Sequence, residues 1–321
     1  MICTEFGDPP LLEVAEGPDP RPRPGEVVIG VAAAGVSFVD GLIVAGGYQL
    51  RPALPFTPGI AVAGRIVATG DGVDRNLTGA DVAAVVAGFG GYASHVAVPE
   101  WTAVARPPGV PAELAASVVE SYLTLAHATT RRVTIRPGEQ VVVLGAAGGI
   151  GLAAVDVVRS LGARVIGVAS SPEKREAVLR AGADVALGYD DLKDSIREAT
   201  GGGADVVVDP VGGATTETAL RALGSGGRLC LLGFAAGEIP RIPANIVLLR
   251  NRSVVGVDWG DWSRQDAGRA GNPALLADVL GRIDRGELSP PAPAAVPLED
   301  AGRVLGLHRA RRAVGRHILL P

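Results

Sequence analysis

Near the middle of the chain, the run Leu144-Gly145-Ala146-Ala147-Gly148-Gly149-Ile150-Gly151 spaces Gly145, Gly148 and Gly151 as G-x-x-G-x-x-G. Glycines so spaced permit a tight turn and let the backbone approach a pyrophosphate, while a helix starting there points its positive dipole end at phosphates. Gly149 adds backbone freedom, and Ala147 and Ile150 complete the candidate phosphate loop. The motif means little alone; it needs a strand before it and a helix after it. The apolar run Gln140–Leu144 and the helical pattern Gly151–Leu161 supply both. The second strand of the unit ends at Ala169-Ser170-Ser171, where an NAD site carries an acid for the ribose 2′-hydroxyl. Lys174 and Arg175 follow within a turn, and Tyr189 comes soon after the third strand. Small hydroxyls and cations suit a 2′-phosphate, so the residues favour NADPH over NADH. Read alone, Lys174 and Arg175 would be a solvated helix face; the missing acid tips the balance.

Other chemistries find less support. Cys3 and Cys230 cannot build a four-cysteine site, and His95, His127, His308 and His317 lack ligand spacing, so no metal is expected. A net charge of −4 argues against a general nucleic-acid or membrane-surface binder. The basic run Arg309–Arg312 has no interleaved aromatics and reads as a solvated face. Glu5 and Asp8 interrupt any signal-like apolar start, and no stretch looks membrane-spanning, so a cytoplasmic protein is expected.

The elements that must hold these residues fall into two patterns. The first hundred or so residues read as short strands at Val27–Ala33, Gly64–Thr69, Asp81–Val86 and Tyr92–Val98, punctuated by turns, as in a barrel or sandwich. Ala112–Ala128 reads as helix. From Gln140 to Val257 short strands alternate with helices, which predicts a parallel, doubly wound sheet. Beyond lie a helix around Pro273–Arg285, a proline-rich connector Ser289–Pro297, a helix around Leu298–His308 and a last strand Arg316–Leu320.

With the glycine turn, Asp209-Pro210-Val211-Gly212-Gly213 resembles the medium-chain dehydrogenase/reductase superfamily. Gly35-Val36-Ser37-Phe38-Val39-Asp40, Tyr122-Leu123-Thr124 and Leu249-Arg250-Asn251 with Val255-Gly256-Val257 resemble its zinc-free NADPH:quinone oxidoreductase (zeta-crystallin-like) branch. The resemblance spans nearly the whole chain. It implies an α/β protein with a GroES-like β-barrel catalytic domain (1–119 and 258–321) and a Rossmann cofactor domain (120–257). It also implies catalysis in a cleft between them and a homodimer formed through edge strands. The cofactor set extends to Val211, Phe234, Gly256 and Val257.

Ser37 takes the place of the family's asparagine and of the first zinc ligand in zinc members; its shorter side chain is a departure. Pro58–Ala61 lacks the histidine of the second ligand. Without zinc to polarise an alcohol, the easier task is hydride delivery to an electron-poor acceptor, a quinone or small α,β-unsaturated carbonyl compound. Tyr48, where related enoyl-thioester reductases carry tyrosine, is a candidate proton donor or a pocket wall. Ser37 and Thr124 are the other candidate catalytic residues, and Phe89, Tyr92, Trp259 and Trp262 are candidate pocket aromatics. Two alternatives remain at this level. One is a 2-enoyl-thioester reductase acting on acyl-CoA or an acyl carrier; the other is an NADPH-binding protein without turnover.

Overall fold

The structure is a computed structural model that describes residues 1–8 and 10–321. The chain forms two compact units. One comprises Met1–Leu123, Asp266–Gly286 and Ala292–Pro321; the other comprises Thr124–Gln265 and Glu287–Pro291. The domain breaks expected from sequence lie at 119/120 and 257/258. The first division in the structure falls inside the continuous helix Ala112–His127, and Glu287–Pro291 returns to the second unit. That return is fixed by Asp156, fully buried in the helix Gly149–Ser160, whose Oδ2 accepts the Ser289 amide at 2.8 Å.

The first unit carries a seven-stranded sheet. Its long central strand, Glu26–Val36, pairs antiparallel with Ala61–Thr69 on one side, and with His95–Pro99 and His317–Leu320 on the other. Asp81–Val85 and Ala103–Ala105 extend the Ala61–Thr69 side, and Ala294–Pro297 runs parallel to His317–Leu320. Alternate residues Val27, Ile29 and Val31 enter a core with Val62, Ile66, Val82 and Leu305, the period-two pattern of a half-buried strand. Three expectations need correction here. The strand expected from Tyr92 begins at His95. The proline-rich connector contains the strand Ala294–Pro297, on the edge of the sheet, where proline costs no ladder bond. The helix around Pro273–Arg285 runs from Asp266 to Asp284 with Pro273 inside it.

The second unit is a six-stranded sheet, all parallel. In space the strands follow Val185–Leu187, Arg164–Val168, Gln140–Val143, Ala204–Asp209, Leu223–Leu231 and Ser253–Gly256. Numbered along the chain, the order is 3-2-1-4-5-6, the doubly wound arrangement that reverses direction beside its first strand. The chain is thus an α/β protein that joins a mainly antiparallel β unit to a doubly wound parallel sheet. The central strands Gln140–Val143, Arg164–Val168 and Ala204–Asp209 are near-continuous runs of valine and isoleucine, the pattern of strands covered on both faces. Among the described residues, no helix is long and apolar enough to cross a membrane.

Candidate active site

The glycine turn lies at the reversal point of the parallel sheet. Gly145 closes the first strand with φ +59°, a left-handed conformation that glycine adopts without penalty. The helix Gly149–Ser160 starts immediately afterwards, and its close packing on the turn requires Gly151. A Cβ there would stand 2.2 Å from the Gly145 carbonyl oxygen. Gly148 is the N-cap and offers no side-chain acceptor, so the first amides of this helix are left for another partner. Gly149 and Ile150 are half-buried at its first turn, and Ala147 is buried beneath.

Other sequence-predicted cofactor residues gather on this turn. The Gly145 amide donates to the Tyr189 hydroxyl at 3.0 Å. Val211 packs against Gly145, since a Cβ on the glycine would meet its Cγ2 at 2.8 Å. The fully buried Asp209 holds Val211 in place: Oδ1 accepts the Val211 and Gly212 amides at 2.8 and 3.0 Å, and Oδ2 accepts from the Thr216 hydroxyl at 2.6 Å. Asp209 belongs to the motif Asp209–Gly213, whose residue types do not by themselves reveal this bracing role. Phe234 is exposed and borders Gly212.

At the end of the second strand Ser170 is exposed. The Ser171 hydroxyl caps the helix Pro172–Arg180 by accepting the Lys174 amide at 3.3 Å. Lys174 and Arg175 are half-buried in its first turn, and Arg175 Nη1 donates to the Ala169 carbonyl at 3.4 Å. Gly256 ends the outermost strand, and Val257 stays paired through its amide to the Leu231 carbonyl. Thr124 is buried at the start of the second unit. Trp259 is buried. The half-buried Trp262 packs against His127, with ring centroids 4.8 Å apart, and lies 4.7 Å from the Arg131 guanidinium.

In the first unit, Ser37 caps the short helix Phe38–Val44 in a reciprocal box with Asp40. Its hydroxyl accepts the Asp40 amide at 3.1 Å and donates to Asp40 Oδ2 at 3.0 Å; its own amide also reaches Oδ2, at 2.9 Å. The Tyr92 hydroxyl donates to the same Oδ2 at 2.9 Å. Tyr92 is 0% exposed, which corrects its assignment as a pocket aromatic: its ring fills the core and its hydroxyl serves Asp40. Burial pushes the Asp40 carboxyl above its ordinary range, against the pull of these donors. Burial, followed by the Asp40 charge, raises Glu120 on the helix Ala112–His127 to about 7. The sequence carried a signal for the cap, Ser37-x-x-Asp40; nothing in it pointed to Glu120.

Tyr48 is half-buried in the bend after the Phe38–Val44 helix. Two residues earlier, Gly46 abuts Phe6 and Arg51, and Arg51 lies over the Phe6 ring at 4.8 Å. Phe56 continues the row to Phe89, which has φ +74°, unusual for a bulky residue. Among the described residues, no three His, Cys, Asp or Glu side chains gather as a metal ion requires.

This geometry has close counterparts in known proteins. Residues 23–108 match the alcohol dehydrogenase GroES-like domain family, and residues 149–270 match the family described as zinc-binding dehydrogenase. The chain is 35% identical over 324 residues to quinone oxidoreductase-like protein 2 of Rattus norvegicus, covering 99% of this chain and 91% of that protein. The chain belongs to the medium-chain dehydrogenase/reductase superfamily, in its quinone oxidoreductase branch. Among solved structures it is similar to the quinone oxidoreductase of Thermus thermophilus, determined alone and with NADPH, at 33% identity and TM-score 0.83 over 100% of this chain and 99% of that one. It is also similar to Escherichia coli quinone oxidoreductase complexed with NADPH, at 26% identity and TM-score 0.88 over the whole of both chains. This branch consists of oxidoreductases, and the protein is one of them.

Proposed function

We propose that this oxidoreductase uses NADPH, without zinc, to reduce a quinone or a small α,β-unsaturated carbonyl compound. The observation that carries this reading is the glycine turn with its surroundings: uncapped helix amides, Tyr189 and Val211 against Gly145, and a second strand ending in serine, not in an acid. A pyrophosphate would fit these amides, and Gly151 lets the helix that carries them pack closely on the turn. Lys174, Arg175 and Ser170 would take the 2′-phosphate, and NADPH, when bound, supplies the hydride. Val211, Phe234, Gly256 and Val257 would complete the cofactor's surroundings.

On the acceptor side, Tyr48 would offer its phenol to a carbonyl oxygen and supply a proton there. Ser37 would act mainly through the helix that it caps, because its hydroxyl already serves Asp40 at both ends. Thr124 would support the nicotinamide side. A homodimer is supported by the outermost strand Ser253–Gly256, which has a neighbour in the sheet on one side only, and by the exposed Leu248 and Leu249 just before it.

The deciding experiment follows NADPH oxidation with a simple quinone and an enoyl thioester in parallel, with NADH and a chelator as controls. Rapid, chelator-indifferent turnover of the quinone with NADPH is the expected result. Turnover of the thioester alone would overturn the acceptor assignment and move the protein to acyl-chain reduction. Tyr48→Phe is expected to lower kcat about tenfold while leaving NADPH affinity unchanged. An unchanged kcat would make Tyr48 a wall of the site.

A further inference from the structure

The segment from Gly256 to Trp262 carries two residues assigned above to the cofactor and two candidate acceptor aromatics; Val257 and Trp259 are buried, whereas Gly256 is exposed and Trp262 half-buried. Its helix, Trp259–Arg264, is six residues long, capped by Asp258 Oδ1 accepting the Asp261 amide at 2.7 Å. So short a helix is not stable by itself. Gly256 and Trp262 take further support from elsewhere in the same unit, at the end of the helix Ala112–His127. There Thr129 and Thr130, both β-branched, turn their hydroxyls back to the Leu125 and Ala126 carbonyls at 2.8 and 2.5 Å. The Val133 amide reaches five residues back to Ala128, closing one wide π-helical turn over Ala128–Arg132.

This turn presents three side chains to one segment. Arg132 Nε donates to the Gly256 carbonyl at 3.1 Å, across 124 residues of sequence. Arg131 sets its guanidinium 4.7 Å from the Trp262 ring centre, within cation–π range. His127, 4% exposed, packs its ring against the same indole, and its buried Nδ1 finds no hydrogen-bond partner. Burial, then the charges of Arg131 and Arg132, hold this imidazole below its ordinary pKa, while Asp258 pulls weakly the other way. His127 is therefore a neutral, largely apolar plate behind Trp262. A wide turn of this kind is one way in which a helix ends. Here its effect is to place His127, Arg131 and Arg132 against Gly256 and Trp262 together.

We propose that Arg131 and Arg132 are positioning residues for the reduction, fixing the Gly256 carbonyl and the Trp262 ring so that Trp262 offers a flat, immobile surface selecting ring-shaped acceptors over small open-chain enones. The proposal rests on the reductase reading above and adds to it the residues that set acceptor selectivity. Neither arginine transfers a proton or touches the reacting atoms; each acts through the segment it holds.

The test is a double-mutant cycle on the full chain with Arg131→Met and Trp262→Leu, read as KM for a two-ring quinone, KM for a small enone and the dissociation constant of NADPH. Each single variant is expected to raise the quinone KM about fivefold, and the double variant no further, because one surface is lost in each case. The enone KM and the NADPH dissociation constant are expected to stay within about twofold. In a Trp101→Phe, Trp259→Phe background, which leaves Trp262 as the emitting tryptophan, Arg131→Met is also expected to shift the emission, a signature that survives should Trp262→Leu fail to fold. Multiplicative effects in the cycle, an unchanged quinone KM, or equal rises for both acceptors would overturn the proposal while leaving the reductase reading intact. Failure of the wild type to turn over either acceptor with NADPH would overturn that reading and this proposal with it.

Discussion

The turn at Gly145–Gly151 and the cluster around Asp40 show two ways of preparing polar groups for work. In the turn the groups are backbone amides, the key residues are neighbours in sequence, and the requirement is the absence of side chains. Gly148 provides no cap and Gly151 no Cβ. Around Asp40 the acceptor is a side chain whose donors come from Ser37, three residues away, and Tyr92, 52 residues away, and all of them fall on Oδ2 while the buried Oδ1 is left without a hydrogen-bond partner. One carboxylate oxygen accepts from the Ser37 amide, the Ser37 hydroxyl and the Tyr92 hydroxyl. The turn leaves its amides without side-chain caps; the Asp40 cluster gathers its donors on one buried carboxylate oxygen and ties Tyr92 to the Phe38–Val44 helix. A side chain added to the turn should therefore abolish binding with little effect on the other unit, whereas a side chain removed from the cluster should cost stability with little effect on binding.

The largest expected effect is at the turn. Gly151→Val drives atoms into the Gly145 carbonyl and is expected to weaken NADPH at least about 300-fold, read by fluorescence titration. Binding within a few-fold of wild type would mean that the turn does not cradle a phosphate. Next is Asp40→Ala, which leaves three buried donors without their acceptor; a loss of about 3 kcal/mol in urea unfolding is expected, with the NADPH dissociation constant of the folded protein unchanged. A variant as stable as wild type would remove the cluster's structural role. Lys174→Ala is expected to weaken NADPH about tenfold and NADH hardly at all, a smaller change because Arg175 remains. Equal weakening of both cofactors would take Lys174 out of the 2′-phosphate site.

The smallest effect sharpens the other side of the comparison. Glu120, raised to about 7 by burial and by Asp40, is protonated more readily in the folded than in the unfolded chain. Its contribution to stability is therefore full below its ordinary range near 4.5 and is lost as pH rises through about 7. Asp40, displaced in the same direction, adds to this trend. Stability is expected to fall by about 1 kcal/mol from about pH 5 to about pH 8, a figure reduced because Glu120 keeps some contact with water. Glu120→Gln should flatten most of that slope; an identical slope in the variant would place the titrating group elsewhere.

What could be read from the sequence follows the same division. The glycine turn, the strand before it, the helix after it and the serine-for-acid exchange are local, so spacing and residue type reveal them. The alternation of strands and helices in the second unit was equally legible, because most of its strands are short apolar runs between turn residues; Leu223–Leu231 was legible only from Arg228, since Gly224-Ser225-Gly226-Gly227 reads as a turn. Contacts between distant residues were not. Tyr92 lies 52 residues from Asp40, and nothing in its own neighbourhood distinguishes a core tyrosine from a pocket tyrosine. The π-turn went unseen for a related reason: Thr129-Thr130 reads as an ordinary helix end, and only the partners of Arg131, Arg132 and His127 give the turn a purpose. The Phe38–Val44 helix is an intermediate case. Its capping box is written in Ser37 and Asp40, but Gly41 and the β-branched Ile43 and Val44 blur the helical signal.

The strand Glu26–Val36 draws its partners from both ends of the chain. Its pairing with His95–Pro99 and Ala61–Thr69 can form early, but its register from Ala34 to Val36 is completed only by His317–Leu319. On the ribosome this imposes a sequence of events. The parallel-sheet unit emerges nearly whole and can fold as it is made, while the first unit waits with one strand edge unpaired and part of its core, including Val304, Leu305 and Leu319, still to be synthesised. The half-built sheet is the stage at which a nascent chain is open to edge-to-edge association, and the one at which a chaperone has most to protect.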